Sequence, residues 1–243
     1  MPELSPFYHE LFAALNRGLW MSVALIVPAA CGGVAIGLLA GSCRACGPRW
    51  LRKLGDFYAA LFRGTPLVVQ LFVLYYGLPD LYMHLEEPLR AFSPRLADHL
   101  KTLMYLSPYQ AAVIGFMLCS GAYQSEYVRG AFLSIKKGQY LGALALGFGS
   151  WQTLFCIILP QAFRRALHGC GNEIIYLIKY SSLAYIVTCM ELTGEGKTIA
   201  TEHFRFTEVF MAIALYYLAL VSMAMLLLKK LEQRLAIPGF GNS

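Results

Sequence analysis

Gly18-Leu-Trp-Met-Ser-Val-Ala-Leu-Ile-Val-Pro-Ala-Ala-Cys-Gly-Gly-Val-Ala-Ile-Gly-Leu-Leu-Ala-Gly-Ser-Cys43 runs from Arg17 to Arg44 without one charged side chain. About 20 apolar residues, wound as a helix, cross the roughly 30 Å hydrocarbon layer of a bilayer. The stretches between Lys101 and Glu126 and between Glu208 and Lys229 are equally free of charge. Two further runs each carry a single cation. Phe57 to Leu78 holds Arg63, with Pro66 near its start, and Ile174 to Met190 holds Lys179. A cation at that depth is costly unless it is paired, hydrated or reaches the surface, so Arg63 and Lys179 become candidates for function.

Working outward, the composition agrees. Charged residues make up 14% of the chain, against about 25% in soluble domains, which need charge to cover their surface. The net charge is +6, but the basic residues fall between apolar runs instead of forming one stripe. That pattern reads as membrane topology and excludes a nucleic-acid-binding face. Most of the seven cysteines lie in apolar or small-residue segments and pack as small hydrophobes. Cys43-Arg-Ala-Cys46 has no second pair and no nearby histidine, so no metal or redox centre is expected. The first residues hold Glu3 and Glu10, with Arg17 as their only Arg or Lys, unlike a cleaved leader; this segment is expected to be retained.

Gly138 to Phe163 is uncharged and long enough to span, yet it contains Gly147, Gly149, Ser150, Gln152 and Pro160. If it stays on one side, then loop 42–55 (Arg44, Arg49, Arg52, Lys53), loop 127–171 (Arg129, Lys136, Lys137, Arg164, Arg165) and the tail (Lys229, Lys230, Arg234) share one face. Asp80, Glu86, Glu87 and Asp98, then Glu191, Glu195, Glu202 and Glu208, face the other side. The positive-inside rule then holds throughout. The sequence therefore predicts an all-α integral membrane protein of five transmembrane helices, N-terminus outside and C-terminus cytoplasmic. The expected spans are about 18–42, 57–78, 103–126, 172–190 and 208–228. An external segment 1–16 precedes a transmembrane domain 17–232, and 233–243 form a cytoplasmic tail. Loop 80–106 is expected to be long, with an amphipathic helix near Leu96 to Leu103. A large apolar surface should not face water, so the cytoplasmic segment 136–163 must fold back on the helices or dock on a soluble partner.

That segment reads Gly138-Gln-Tyr-Leu-Gly-Ala-Leu-Ala-Leu-Gly147, nine residues, then Ile157-Ile-Leu-Pro160. It resembles the EAA loop of ABC importer permeases: Glu-Ala-Ala, three residues, Gly, nine residues, Ile, any residue, Leu-Pro. Phe62-Arg-Gly-Thr-Pro66, Ser120-Gly-Ala-Tyr-Gln-Ser-Glu126, Val128-Arg-Gly130, Ser134-Ile-Lys-Lys-Gly-Gln139, Trp151-Gln-Thr153, Leu159-Pro-Gln-Ala162, Gly171-Asn-Glu173 and Ala236-Ile-Pro-Gly239 are similar to the polar amino acid branch of that family. The resemblance covers roughly residues 15 to 240. It implies two permeases, identical or paralogous, two cytoplasmic ATPase subunits and an external or periplasmic amino-acid-binding protein, in a bacterial inner membrane. It also implies that the loop forms a helix, between spans three and four, seated in a cleft of the ATPase. The candidate coupling residues are Gln139, Gly142, Ala143, Gly147, Ile157 and Pro160. Leu141-Gly142-Ala143 stands where the family has Glu-Ala-Ala, so the acidic residue is absent, and Tyr180 stands where many relatives carry a small polar or acidic residue.

Each candidate has a plain structural role beside its functional one. Gly147 is placed to end the coupling helix in a left-handed cap. Gly33, Gly37 and Gly41 form a small-residue ladder for close packing, within the chain or with the partner permease, and are given no substrate role. Arg63 either snorkels or pairs with an acid such as Glu126 or Glu173. Glu126 and Arg129, three apart, can pair on one helix face or line a gate. Asn172, Glu173, Lys179, Ser181 and Ser182 are expected on the fourth span, where Lys179 and the serines could hold a zwitterionic substrate. With Arg63 and Glu126 these make up the candidate substrate pathway. His168 and His203 read as interface residues. No nucleophile–base set, Walker-type loop or metal-ligand cluster is visible, so no catalysis and no cofactor is expected in this chain; ATP hydrolysis falls to a partner. The alternatives are a stand-alone carrier or channel and an intramembrane enzyme. The first needs coupling charges within the spans, and the three charge-free spans have none; the second needs paired catalytic groups, and no such set is found.

Overall fold

A computed structural model describes residues 4–235, and side chains from Pro6 onward; the quoted Ala236-Ile-Pro-Gly239 and most of the tail 233–243 lie outside them. Among the described residues there is no strand. The helices are α1 (Leu4–Cys46), α2 (Arg49–Gly64), α3 (Leu67–Phe72), α4 (Leu78–Phe92), α5 (Pro94–Met104), α6 (Pro108–Ser134), α7 (Lys137–Ala145), α8 (Ser150–Thr153), α9 (Leu159–Tyr180), α10 (Leu192–His203) and α11 (Phe206–Leu235). π-helical turns join α3 to α4 (Val73–Gly77) and α8 to α9 (Leu154–Ile158), and a 3₁₀ segment (Ser181–Val187) follows α9. Such an outcome is forced on a chain in lipid, where every backbone N–H and C=O must find its partner within the segment. Pro6–Cys46 and Phe206–Leu235 are each long and apolar enough to cross a membrane; three broken helix pairs meet the same test if each counts as one span, for up to five in all.

Contacts divide the chain into two compact units. The first comprises α1 as far as Ala29, Thr65–Met117 and Leu177–Ala219. Its core joins Phe7, Leu11, Ala14 and Leu15 of α1 to Leu192, Ile199 and Ala200 of α10 and Val209 and Ile213 of α11. Gly18 permits this closeness, since a Cβ there would stand 2.7 Å from the Leu192 Cα. Glu191 is fully buried at the start of α10. Its carboxylate accepts from the N–H groups of Thr193 (3.0 Å) and Gly194 (3.1 Å), and from the hydroxyls of Ser22 (3.3 Å) and Tyr217 (2.8 Å). One acid thereby caps α10 and ties it to α1 and α11. In the same unit, buried Tyr82 of α4 donates to the Ala97 carbonyl of α5 at 3.2 Å.

The second unit comprises Ala30–Gly64, Leu118–Tyr176 and the chain from Leu220. Here the glycine ladder of α1 packs on α6 of the same chain. A Cβ at Gly33 would meet Ser120 at 3.2 Å, at Gly37 the Gln124 Cβ at 2.5 Å, and at Gly41 the Val128 Cβ at 2.6 Å. Small residues every four positions let two backbones touch, which is how helices associate where the solvent is as apolar as the side chains. Arg165 of α9 donates to the carbonyl (2.7 Å) and hydroxyl (2.9 Å) of Ser134, fastening α9 to the end of α6.

Several expectations shift. Residues 4–16 continue the first helix instead of forming a separate segment. Residues 57–78 do not form one helix: α2 ends at Gly64, and Pro66, without an N–H to donate, stands as the extended N-cap of α3. Loop 80–106 is mostly helix, α4 and α5. Ser181 and Ser182 lie beyond α9 on the 3₁₀ segment, which stops at Thr188 in the left-handed region (φ 62). The histidines pair within the chain, His168 with Glu232 (2.8 Å) and His203 with Glu10 (3.1 Å).

The ladder makes a direct prediction. Gly41→Val, which would also press on the Ser125 carbonyl, should cost about 1–3 kcal/mol from overpacking and lower the unfolding temperature of the detergent-solubilised chain. Gly130→Ala on α6, where nothing lies within 4 Å, should leave it equal or raise it, since alanine favours the helix by about 1 kcal/mol. Equal midpoints for the two variants would remove the ladder's role.

Candidate functional site

Two sites of different chemistry lie in the second unit. The first is ionic. Arg44, in the last turn of α1, has a buried side chain, although loop 42–55 was its expected place. Its Nε donates to Asp56 Oδ1 of α2 (2.8 Å), Nη1 to the Ser125 hydroxyl of α6 (2.9 Å) and Nη2 to Glu126 Oε1 (2.6 Å). The same carboxylate oxygen accepts from Arg63 Nη1 at 2.6 Å, and Arg129 Nη1 stands 3.5 Å from the other oxygen. Arg63 also lies over the Tyr123 ring, 5.5 Å from its centre. Gly55 makes room for the arrangement: a Cβ there would strike the Arg44 Cγ at 2.5 Å. The network holds three guanidinium groups against two carboxylates and clamps α1, α2 and α6. The pairs Arg63–Glu126 and Glu126–Arg129 were open in the sequence. Arg44 and Asp56 were not, because nothing in a linear sequence distinguishes an arginine that turns inward from one that marks the cytoplasmic side.

The other candidate pathway residues divide between the two units. Asn172 Nδ2 lies 3.2 Å from His168 Nε2. Glu173 is buried on α9. Lys179, Ser181 and Ser182 belong to the first unit. Lys179 is exposed, while both hydroxyls donate back to the last turn of α9, Ser181 to the Ile178 carbonyl (2.7 Å) and Ser182 to that of Lys179 (2.9 Å). In that posture the serines satisfy backbone acceptors where the helix tightens.

The second site is the helix α7. Its end is a complete Schellman arrangement. Gly147 N–H reaches the Leu144 carbonyl (3.0 Å), Phe148 N–H reaches that of Ala143 (3.1 Å), and Gly147 adopts φ 85 with open space around it. Gln139 and Gly142 are exposed and Ala143 is buried, so one face of α7 packs inward. Apolar side chains at and beside α7 are exposed: Leu141 is 63% exposed, Leu146 80% and, on α8, Trp151 73%. Ile157 sits in the π-helical turn before α9, and Pro160 in the first turn of α9. Pro160 has no N–H for the Cys156 carbonyl, which accounts for the widened turn there.

Removing the buried cation should be worse than removing the exposed one. Arg44→Gln leaves Asp56 and Glu126 without their shared donor and should cost about 3 kcal/mol, the low end for a broken buried pair because Asp56 is half exposed. Arg63→Gln should cost under about 1 kcal/mol. In thermal unfolding of the solubilised chain, Arg44→Gln combined with Glu126→Gln should cost less than the two singly. Strict additivity would mean that the contact carries no coupling.

Residues 33–237 match the family described as binding-protein-dependent transport system inner membrane component. The glutamine transport system permease protein GlnP of Escherichia coli (strain K12) is 36% identical over 93% of each chain. The probable amino-acid permease protein YxeN of Bacillus subtilis (strain 168) is 32% identical over 95% of this chain and 93% of its own. Among solved structures, an amino acid ABC transporter crystallised with histidines superposes with a TM-score of 0.78 at 26% identity, covering 95% of this chain and 97% of the other. The MetNI methionine ABC transporter shares the fold at 17% identity, with a TM-score of 0.67 over 93% of this chain and 98% of that one. Family match, relatives and fold agree with the packed helices and the capped α7: the chain belongs to the inner-membrane permease components of binding-protein-dependent ABC transport systems.

Proposed function

We propose that this chain is the membrane-spanning permease subunit of an ATP-driven importer of polar amino acids, coupled to a cytoplasmic ATPase through residues 138–160. The observation that carries the coupling is α7. A short helix ends cleanly at Gly147, yet Leu146 and Trp151 stand in the open beside it. Exposed apolar side chains on a well-terminated helix are suited to docking, since their burial in a partner supplies the free energy. Transport of glutamine by the system of the relative GlnP, and the amino-acid permease name of YxeN, support polar amino acids as the substrate class.

On this reading five spans cross a bacterial inner membrane with α7 and the C-terminus in the cytoplasm. The chain pairs with a second permease, an ATPase pair and an external binding protein. ATP binding and hydrolysis belong to the ATPase, and α7 passes the closure of that pair to the membrane helices as a rigid-body switch between outward and inward access. Arg63, Glu126, Asn172, Glu173, Lys179, Ser181 and Ser182 line or border the substrate path. The clamp of Arg44, Glu126 and Arg63 keeps α1, α2 and α6 moving as one body.

Leu146→Asp with Trp151→Ala tests this. Both side chains are exposed, so the thermal midpoint of the extracted chain should hold, while the ATPase retained on co-purification should fall about tenfold or more, as for loss of interface anchors. Unchanged retention would place the ATPase contact elsewhere. A native chain that retains no ATPase and moves solute alone in liposomes would be a stand-alone carrier.

A further inference from the structure

A cavity of about 440 Å³ opens between the ends of α1 and α6, the first turns of α7 and the π-helical turn before α9. Its volume is that of a small-ligand site. Cys46, Phe132, Leu141 and Ile158 give it apolar walls, and Lys136 and Lys137 stand on its lining with no acidic residue among the lining groups. Both lysines are exposed, and neither has a carboxylate within ion-pair distance among the described residues. A third cation, Arg52, donates to the Gly47 carbonyl beside Cys46 at 3.4 Å. The cavity therefore has an apolar interior with excess positive charge beside it.

Neighbouring α2 gives the depth. Trp50, Leu54, Phe57 and Leu61 recur at intervals of three or four and are 67%, 60%, 65% and 45% exposed. Arg49, Arg52 and Lys53 accompany the start of this stripe. An apolar stripe flanked by Lys and Arg, with tryptophan near its start, belongs at the boundary between headgroups and acyl chains. The cavity opens at the ends of α1 and α6, and α2 begins three residues after the α1 end.

We propose that the cavity is a binding site for an anionic phospholipid of the cytoplasmic leaflet, its phosphate held by Lys136 and Lys137 and the upper part of one acyl chain in the apolar recess. Charge complementarity selects the occupant: a zwitterionic headgroup brings its own cation to three that have no acid to offset them, and an apolar peptide leaves the two lysines unanswered. Because α7 is also the proposed coupling element, a lipid here would pack Tyr140 and Leu141 of α7 against α1 and α6 while Leu146 and Trp151 stay open. The proposal rests on the cytoplasmic placement of α7 given above.

The test uses the assembled transporter in nanodiscs of phosphatidylcholine and phosphatidylglycerol, each lipid supplied in turn as a photoreactive probe, with labelled peptides mapped. Phosphatidylglycerol should label the segments around Cys46 and Tyr140 in preference to phosphatidylcholine. That preference should fall about fivefold when either lysine becomes glutamine, and further when both do. Cys46→Trp, which narrows the recess and leaves the charges in place, should weaken labelling by both lipids while the thermal midpoint holds. Equal labelling by the two lipids, or a preference unmoved by Lys136→Gln/Lys137→Gln, overturns the proposal. So does labelling that appears only once the ATPase or a second permease is stripped away, which makes the cavity a protein interface. Absent label with intact ATPase retention and transport removes the lipid site alone; selective label on a chain that retains no ATPase keeps the site and removes the importer reading.

Discussion

A polar group buried among packed helices has to find its partner inside the protein, because no water is present to replace one. In this chain two buried charges meet that demand and organise the helices in doing so. Glu191 collects two backbone N–H groups and two hydroxyls, from α10, α1 and α11. Arg44 collects two carboxylates and a hydroxyl, from α2 and α6. Neither arrangement is cheap, since taking an ion out of water costs several kcal/mol, and a buried pair is weak evidence for stability. What such clusters supply is direction. Apolar contact between helices tolerates sliding and rotation; a guanidinium with three fixed acceptors does not.

The glycines make that closeness possible. Gly41 brings α1 onto α6 just before Arg44, and Gly55 lets α2 pass over the arginine's stem. A methyl group at either position would push the helices apart by the amount that separates a 2.6–2.9 Å charge-assisted bond from no bond at all. Packing and electrostatics are thus one feature of this unit. The same economy appears at Gly18, where α1 meets the backbone of Leu192, the residue after Glu191.

Much of this was legible in the amino-acid order, and the remainder has an identifiable cause. Charge-free runs marked the long helices because exclusion of charge from lipid is a property of composition. Gly147 and the residues around it marked the end of α7 because a left-handed turn is a local requirement, met here at φ 85. The glycine ladder was legible as a packing surface; its partner, α6, was not, since a stripe of small residues does not say what lies against it. Arg44 and Asp56 escaped for the same reason: each is ordinary until the fold brings it to the other. The break at Thr65–Pro66 and the 3₁₀ turn at Ser181 lay within runs read as spans from their overall hydropathy, and hydropathy is blind to backbone geometry. Glu191 was counted as an external charge, and glutamate is not among the residues that favour helix caps.

The departure at Leu141 can now be placed in physical terms. Where the resemblance to the EAA loop implies an acid, this chain presents Leu141, 63% exposed and on the lining of the cavity beside α7. An acid at that point contributes a directional, salt-sensitive contact; a leucine contributes area. With Leu146 and Trp151 also exposed, the proposed docking surface relies on burial for its energy and on shape for its register. Shape requires a rigid helix, and α7 is short and contains Gly142, which costs about 1 kcal/mol of helix preference. Its rigidity has to come from its ends and its inward face: the Schellman stop at Gly147 on one side, the buried Ala143 on the other. The cavity lined by Tyr140 and Leu141 leaves part of α7 without protein against it, so whatever fills it bears directly on how firmly the helix can transmit motion.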